Sequence, residues 1–215
     1  MDVYLISGLG ADRTVFQNLT FGKGVKIHHL DWIAPKLKES LPAYALRLAE
    51  GIDTSREFSV VGLSFGGMLA IEIASVFRPQ RTILISSILS KKGLPWYYRF
   101  AGRMRINKLI PIAKPAGIPR FISAFFGVET ENDALFFHQL MRNADPRFSK
   151  WAIDSILKWN RTESPSGIVR IHGAKDKVLP VRDGKVDYFI PDGGHFMVFN
   201  RAEKISEILT EVGVS

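Results

Sequence analysis

Residues 58–77 contain a β-rich run, a glycine-rich turn and a helical run in direct succession. The turn at 62–67 is GLSFGG, which fits the pattern G-x-S-x-G. That pattern alone is weak, since chance produces it in roughly one sequence in ten of this length and composition. The flanks make it specific, because a strand that passes straight into a helix leaves the middle serine, Ser64, exposed on a strained bend. The two backbones nearly touch there, so small residues are required, and Gly62 and Gly66 supply them.

Apolar runs along the rest of the chain predict five more strands and two more helices. The strands are expected at 3–6, 25–30, 82–85, 168–171 and 186–190, and the helices at 40–52 and 202–212, beside the strand 58–63 and the helix 67–77. Strands that alternate with helices indicate crossover connections and a parallel sheet. We therefore expect an α/β fold, with a mostly parallel sheet of about six strands and flanking helices.

The alternation stops between residues 89 and 148. Prolines at 95, 111, 115 and 119 divide this segment into short helical pieces. One piece is amphipathic, with Trp96, Phe100 and Met104 on one face and Arg99 and Arg103 on another. We expect residues 1–88 and 149–215 to form the core, and residues 89–148 to form a helical cap inserted over the sheet.

A serine hydroxyl is a weak nucleophile at neutral pH and needs a base within hydrogen-bonding reach. His195 is the best placed of the five histidines, because it follows the last predicted strand and two glycines. His28 and His29 lie within a predicted strand, which favours structural roles. His138 belongs to the cap and is expected to pack there or face solvent. His172 ends a strand, and we interpret it as a support that bonds the backbone, with contact to the site as the lesser alternative.

The base must in turn be oriented by a carboxylate from another strand end. Asp176 follows the strand 168–171 and is the candidate. The loop after strand 82–85 offers none, since no Asp or Glu occurs from residue 73 through residue 128. Asp192 is a second candidate, but a carboxylate three residues before His195 on one tight loop is poorly placed to orient the imidazole.

Two backbone amides are candidates for an oxyanion hole, which binds the negative oxygen that forms when a serine attacks a carbonyl group. One belongs to Phe65, directly after Ser64. The other belongs to Leu9, in the SGLG turn after the first strand. Each donor of this kind contributes about two to three orders of magnitude in rate.

Taken together, these segments resemble the α/β-hydrolase superfamily over nearly the whole chain. The order Ser64, Asp176, His195 is the order of that family. The turn at 7–10 and the histidine loop GGHF at 193–196 also match it. The resemblance implies an α/β-hydrolase fold that lacks the first two strands, with its cap after the family's sixth strand.

The sequence departs from the family pattern in the two loops that flank the predicted site. Ser7-Gly8 stands where the family usually has His-Gly, so this loop must be supported differently. Only nineteen positions separate Asp176 from His195. The crossover at 173–185 is near the minimum for a parallel connection, and its helix is expected to be reduced to a turn.

Positive charge is concentrated in the predicted cap. The formal net charge is +8. Residues 91–120 contain no Asp or Glu and eight cations, and the rest of the chain has 21 cations and 21 anions. The eight are Lys91, Lys92, Arg99, Arg103, Arg105, Lys108, Lys114 and Arg120. A regional charge of this kind suits an anionic or carrier-bound substrate or an acidic partner, and the alternative is a solvated face with no partner. No motif for nucleic acid accompanies it, so we expect no nucleic-acid partner.

The absence of cysteine excludes disulfides, cysteine nucleophiles and iron–sulfur clusters. The N-terminal residues show no signal-peptide pattern, and the longest apolar run is interrupted by polar residues. These features predict a cytoplasmic protein. We expect neither a cofactor nor a metal.

The function expected is that of a serine hydrolase, which cleaves a small-molecule carboxylic ester or thioester through an acyl-enzyme. Aromatic residues of the cap would roof an apolar pocket: Trp96, Tyr97, Phe100, Phe121, Phe125, Phe126, Phe136 and Phe137. Of these, Trp96, Phe100 and Phe125 are the candidates for direct substrate contact.

Two alternatives stay open. One is a cofactor-free lyase or C–C hydrolase that uses the same three side chains. The other is a non-catalytic protein whose basic cap docks to an acidic partner or, less readily, to an anionic membrane surface. The sequence leaves the oligomeric state undetermined.

Overall fold

The structure is a computed structural model that describes residues 1–104 and 119–214, except for the side chains of residues 101–103. Six strands form one sheet: β1 (Asp2–Ile6), β2 (Lys26–His29), β3 (Phe58–Leu63), β4 (Arg81–Ile85), β5 (Ile168–Gly173) and β6 (Tyr188–Ile190). The strand order is β2-β1-β3-β4-β5-β6, and every neighbouring pair is parallel. The predicted parallel sheet of six strands is therefore confirmed.

Helices follow most of the strands. They are α1 (Leu41–Leu48), α2 (Phe65–Phe77), α3 (Trp96–Arg103), α4 (Arg120–Phe126), α5 (Glu131–Asn143), α6 (Pro146–Lys158), α7 (Met197–Asn200) and α8 (Ala202–Glu211). The predicted helix 40–52 ends earlier as an α-helix, because residues 49–51 form a 3-10 turn. The short helix α7 was not predicted, since four residues are too few to show a helical period.

The core lies on both faces of the sheet, because successive side chains of a strand point to opposite sides. Tyr4 and Ile6 of β1 belong to the cluster that α1 and α2 cover. Val3 and Leu5 belong to the cluster that α8 covers. All six residues of β3 are buried, as expected of a central strand in a parallel sheet.

Local sequence signals set the beginnings of the helices. Ser40 caps α1 through a hydrogen bond from the Ala43 amide, and a proline occupies its first turn. Thr130 and Asp133 form a reciprocal capping box at α5. Asp145 caps α6 by accepting from two backbone amides of the first turn.

The segment predicted as a cap contains helices and no strand among its described residues, 89–104 and 119–148. The expected boundary at 148/149 falls inside α6. Phe148 and Ala152 of this helix belong to the cluster over α1 and α2. The division into a core and a cap stays a prediction, with α6 as the element that joins the two.

The connection between β5 and β6 contains turns and no helix, as its short length predicted. No helix among the described residues is long and apolar enough to cross a membrane.

Candidate active site

Ser64 lies between β3 and α2 in a strained backbone conformation, with φ of 51° and ψ of −114°. Its amide donates to the carbonyl of Ile85 (2.9 Å), and the Ser87 hydroxyl donates to its carbonyl (2.7 Å). A Cβ atom at Gly66 would overlap the carbonyl oxygens of Ile6 and Ser7. Glycine is therefore required at position 66, where α2 comes closest to the end of β1. A Cβ atom at Gly62 would likewise overlap the Gly66 carbonyl oxygen, where β3 and α2 approach each other, as the sequence pattern indicated.

His195 reaches Ser64 from the loop that follows β6. Its Nε2 lies 3.0 Å from the Ser64 Oγ, and its ring is buried. The loop is held from the side of α4, since the Phe196 amide donates to the Phe126 carbonyl (2.8 Å). The Phe126 ring also meets the imidazole edge to face, with centroids 5.6 Å apart.

Asp176 orients the imidazole from the loop after β5. Its Oδ2 lies 2.8 Å from the His195 Nδ1, and its Oδ1 accepts from the amides of Val178 and Leu179 (2.9 Å each). Burial by itself would raise the pKa of Asp176. The charge of His195 and hydrogen bonds from His172 and His195 outweigh it, so this pKa lies well below its ordinary value. The carboxylate is thus ionised and fixes the imidazole tautomer with its proton on Nδ1, which leaves Nε2 free to accept the serine proton.

His172 is a second imidazole on the same carboxylate. It is fully buried, and its Nε2 lies 2.8 Å from the Leu179 carbonyl oxygen and 3.3 Å from the Asp176 Oδ2. A proton on Nε2 serves both oxygens. His172 thus bonds the backbone, as predicted, and it also touches the candidate acid, which was the lesser alternative from the sequence.

The remaining candidates lie away from this cluster. Asp192 pairs with Arg201 (2.6 Å) instead of His195. His28 binds Asp2 at the edge of the sheet (2.6 Å), and His138 packs between α4 and α5.

Leu9 and Phe65, whose amides are the predicted oxyanion donors, line the cavity beside Ser64. Neither donates a hydrogen bond within the part of the chain that the structure describes. Phe65 is the first residue of α2, where backbone amides have no intrahelical acceptor. The turn that carries Leu9 is braced at the Ala11 carbonyl, which accepts from the Ser7 hydroxyl (3.0 Å) and the Trp32 indole (2.8 Å).

The Trp32 contact explains how the loop is supported without the family's usual histidine. Sequence reasoning missed it, since Trp32 lies on a loop with no periodic pattern and contacts Ala11 only through the fold.

An apolar cavity of about 320 Å³ opens beside Ser64 and His195. Its wall comes from the turn after β1, the start of α2, helices α3, α4 and α6, and the loop after β5. The residues are Leu9, Ser64, Phe65, Met68, Leu94, Tyr98, Phe126, Ile153, Ile156, Leu157, Val178, Leu179 and His195. The volume lies at the lower end of the usual range for ligand pockets.

The three predicted pocket residues do not line this cavity. Trp96 is 63% exposed, Phe100 55% and Phe125 38%, and none of the three is among the described residues that line it. Tyr98 and Phe126, their neighbours on α3 and α4, take the inner positions instead. The helical period of α3 predicted its apolar face, but it could not identify which residues of the helix face the cavity.

Helix α6 supplies the wall that sequence reasoning missed. The signal was present, because Ile153, Ile156 and Leu157 have the spacing of one helical face.

Of the eight cations in residues 91–120, Lys91, Lys92, Arg99 and Arg120 are exposed. Arg105, Lys108, Lys114 and the side chain of Arg103 lie outside the described residues. Among the described residues, no cluster of three His, Asp or Glu side chains could hold a metal ion.

Comparisons with known proteins agree with this arrangement at the level of the fold. The sequence model of the Alpha/beta hydrolase family matches residues 3–208. No curated protein gives a significant match.

Several solved structures share the fold. A thermophilic esterase from Thermogutta terrifontis superposes with a TM-score of 0.67 at 17% identity, over 98% of this chain and 88% of that chain. MenH from S. aureus has a TM-score of 0.72 at 15% identity, over 99% and 94%. A bromoperoxidase from Bacillus anthracis has a TM-score of 0.67 at 16% identity, over 98% and 91%.

Proposed function

Because this chain belongs to the alpha/beta hydrolase family, we propose that it is a serine hydrolase that cleaves a carboxylic ester or thioester through an acyl-enzyme. The observation that carries the proposal is the continuous contact from the Ser64 Oγ to the His195 Nε2 (3.0 Å) and from the His195 Nδ1 to the Asp176 Oδ2 (2.8 Å). Ser64 and His195, at one end of this series of contacts, line an apolar cavity of about 320 Å³, which is large enough for a small ligand.

In the first half of the reaction, Ser64 Oγ attacks the carbonyl carbon while its proton passes to the His195 Nε2. The carbonyl oxygen becomes an oxyanion and accepts hydrogen bonds from the amides of Leu9 and Phe65. The carbon–oxygen or carbon–sulfur bond then breaks. The leaving alcohol or thiol takes the proton from Nε2, and the acyl group stays on Ser64.

Water completes the reaction. It attacks the acyl carbon as Nε2 accepts one of its protons, and the acid leaves as the proton returns to the Ser64 Oγ. Asp176 stabilises the imidazolium in both halves without taking its proton.

Labelling with a fluorophosphonate probe tests the nucleophile. We expect the wild type to be labelled at Ser64, as located by mass spectrometry, and Ser64→Ala to be unlabelled. Hydrolysis of p-nitrophenyl acetate should fall at least about a thousandfold in Ser64→Ala and in His195→Ala. The matched control is Ser75→Ala, since Ser75 is an exposed serine of α2, the helix that follows Ser64. This variant should keep the labelling and the ester hydrolysis of the wild type.

A wild type that is neither labelled nor active on esters would contradict the proposal. It would favour the alternatives, a lyase or C–C hydrolase without a serine adduct, or a protein without catalytic activity.

A further inference from the structure

Two apolar chambers meet at Ser64 and His195. The larger is the cavity of about 320 Å³ described above, and the smaller has a volume of about 40 Å³. Both are bordered by Leu9, Ser64, Phe126 and His195. The rest of the smaller wall is Gly8, Ala11, Val15, Leu63, Phe137, Leu140, Met141, Phe196 and Val198. A carbonyl carbon bound at Ser64 therefore has one chamber available for each of its two substituents.

The two volumes differ about eightfold, which sets different limits on the two substituents. A single water molecule needs about 10–15 Å³ by this measure. The smaller chamber thus holds a group of about one to three heavy atoms. The larger chamber reaches the size of sites that bind whole small ligands.

The described walls of the two chambers offer no partner to a charged substituent. Apart from His195, no described residue of either wall carries an ionisable carboxylate, ammonium or guanidinium group. The one additional hydroxyl is that of Tyr98, in the larger chamber. Burial raises the pKa of Tyr98 to about 12, with the neighbouring Tyr97 and Asp176 acting in the same direction, so this phenol stays neutral. An ionised substituent would lose its hydration in either chamber without gaining a partner.

Resting on the hydrolase function proposed above, we infer that the substrates are uncharged, size-asymmetric esters or thioesters. One side of the carbonyl carries a long alkyl or aromatic group that fills the larger chamber. The other side carries an apolar group of about one to three heavy atoms. The exposed cations of the cap take no part in binding such a substrate, since none of them lines either chamber among the described residues.

A small panel of esters tests the asymmetry. Hydrolysis of methyl hexanoate, hexyl acetate and hexyl hexanoate is followed by titration of the released acid, below the solubility limit of each ester. One of the two asymmetric esters should exceed hexyl hexanoate at least tenfold in kcat/KM. The kcat/KM of this preferred ester should also exceed, by a similar factor, that of the analogue whose six-carbon chain ends in a carboxylate. Equal rates for hexyl hexanoate or for the charged analogue would overturn the inference.

Two substitutions test the chambers separately. Met141→Ala removes the thioether from the smaller wall, and the disadvantage of hexyl hexanoate should shrink at least threefold. Leu135→Ala is the matched control, an exposed leucine on the same helix α5. Ile156→Trp fills the larger chamber and should lower kcat/KM for the preferred asymmetric ester at least tenfold. If Met141→Ala does not fold by thermal melting, Ile156→Trp and the ester panel still decide.

The labelling experiment separates the two levels of the proposal. An enzyme that is labelled at Ser64 but shows no preference for size, or hydrolyses none of the panel, overturns this inference and leaves the serine nucleophile standing. A wild type that is neither labelled nor active on p-nitrophenyl acetate removes the hydrolase function itself.

Discussion

Ser64 is held in a conformation that L-residues rarely adopt, with φ of 51°. The strain persists because neighbouring groups hold both backbone groups of Ser64: the Ile85 carbonyl accepts from its amide, and the Ser87 hydroxyl donates to its carbonyl. The close approach of α2 to the end of β1 completes this support. The position of the nucleophile therefore depends on residues that never touch a substrate.

Gly66→Ala is expected to destabilise the protein by about 1–3 kcal/mol or more, because the added methyl group would overlap two backbone carbonyls that cannot rotate away. Helix propensity alone favours alanine by about 0.5–1 kcal/mol, so the overlap decides the sign. The free energy of unfolding in urea measures it. Gly51→Ala serves as the control, since its nearest neighbour is a Leu30 methyl group that can move.

The lowered pKa of Asp176 gives a second prediction, on stability against pH. The unfolded chain has an ordinary aspartate pKa, about 3.9, and the folded protein a lower one. The contribution of Asp176 is therefore complete above about pH 4 and is lost as the pH falls through the folded pKa.

The measurement is the difference in free energy of unfolding between wild type and Asp176→Asn, determined from pH 7 down to pH 2. The difference should be largest at neutral pH and should decrease in the acid range. A difference that stays constant over the whole range would show that the carboxylate is not specially stabilised in the folded state.

At the scale of elements, the connection between β5 and β6 contains no helix, and a buried ion pair holds it in place. Arg170 of β5 is fully buried and donates to the Ser87 carbonyl (2.9 Å) and to the backbone carbonyl of Asp183. The Asp183 carboxylate pairs with Arg170 (3.2 Å) and accepts from the amides of Leu89 and Ser90 (3.0 and 2.8 Å). One ion pair thus ties this loop to the start of the predicted cap.

Asp183→Ala is expected to cost about 3–5 kcal/mol of unfolding free energy, because it leaves the Arg170 charge buried without its partner. Urea denaturation measures the loss. The exposed pair between Lys204 and Glu207 provides the comparison, and Glu207→Ala should change stability little. Equal effects of the two substitutions would mean that burial of the first pair has no energetic consequence.

At the scale of the whole molecule, residues 91–120 carry the excess of positive charge, while the described residues that line the two chambers have no carboxylate, ammonium or guanidinium group. A surface with such an excess attracts anionic surfaces, whatever the chambers bind. Such attraction is screened by salt, since the Debye length falls from about 30 Å at 0.01 M to about 8 Å at 0.15 M.

Binding to vesicles that contain phosphatidylglycerol should decrease with added salt and should depend on the cap cations. Reversing Arg99 and Arg120 to glutamate should remove most of the binding. Reversing Lys23 and Lys26 to glutamate changes the net charge by the same amount. These lysines lie outside residues 91–120, so this variant should lose less of the vesicle binding. Sedimentation of the vesicles reports the bound fraction, and equal losses in both variants would show that only total charge matters.

Strand and helix periods, glycines and caps are local signals, so the sequence determined the six strands, the helices α1, α2 and α8 and their order, whereas α6 and α7 were not predicted. The six strands, the turn at Ser64 and the loops of Asp176 and His195 could all be read in this way. The same signals could not say that His172 shares a carboxylate with His195, or that Trp32 braces the turn of Leu9. Those pairs are separated in sequence and meet only after the sheet has formed.

Only the tertiary structure decided the shape of the space beside Ser64. Amphipathic spacing predicted an apolar face for α3 alone, although α6 has the same spacing. A period fixes an angle around the helix axis and carries no information about which neighbour that face meets. The packing of α6 against α1 and α3, with Tyr98 and Phe126 at the inner positions, made the chambers. Volume is a property of several elements at once, and for that reason no single segment of this sequence could have contained it.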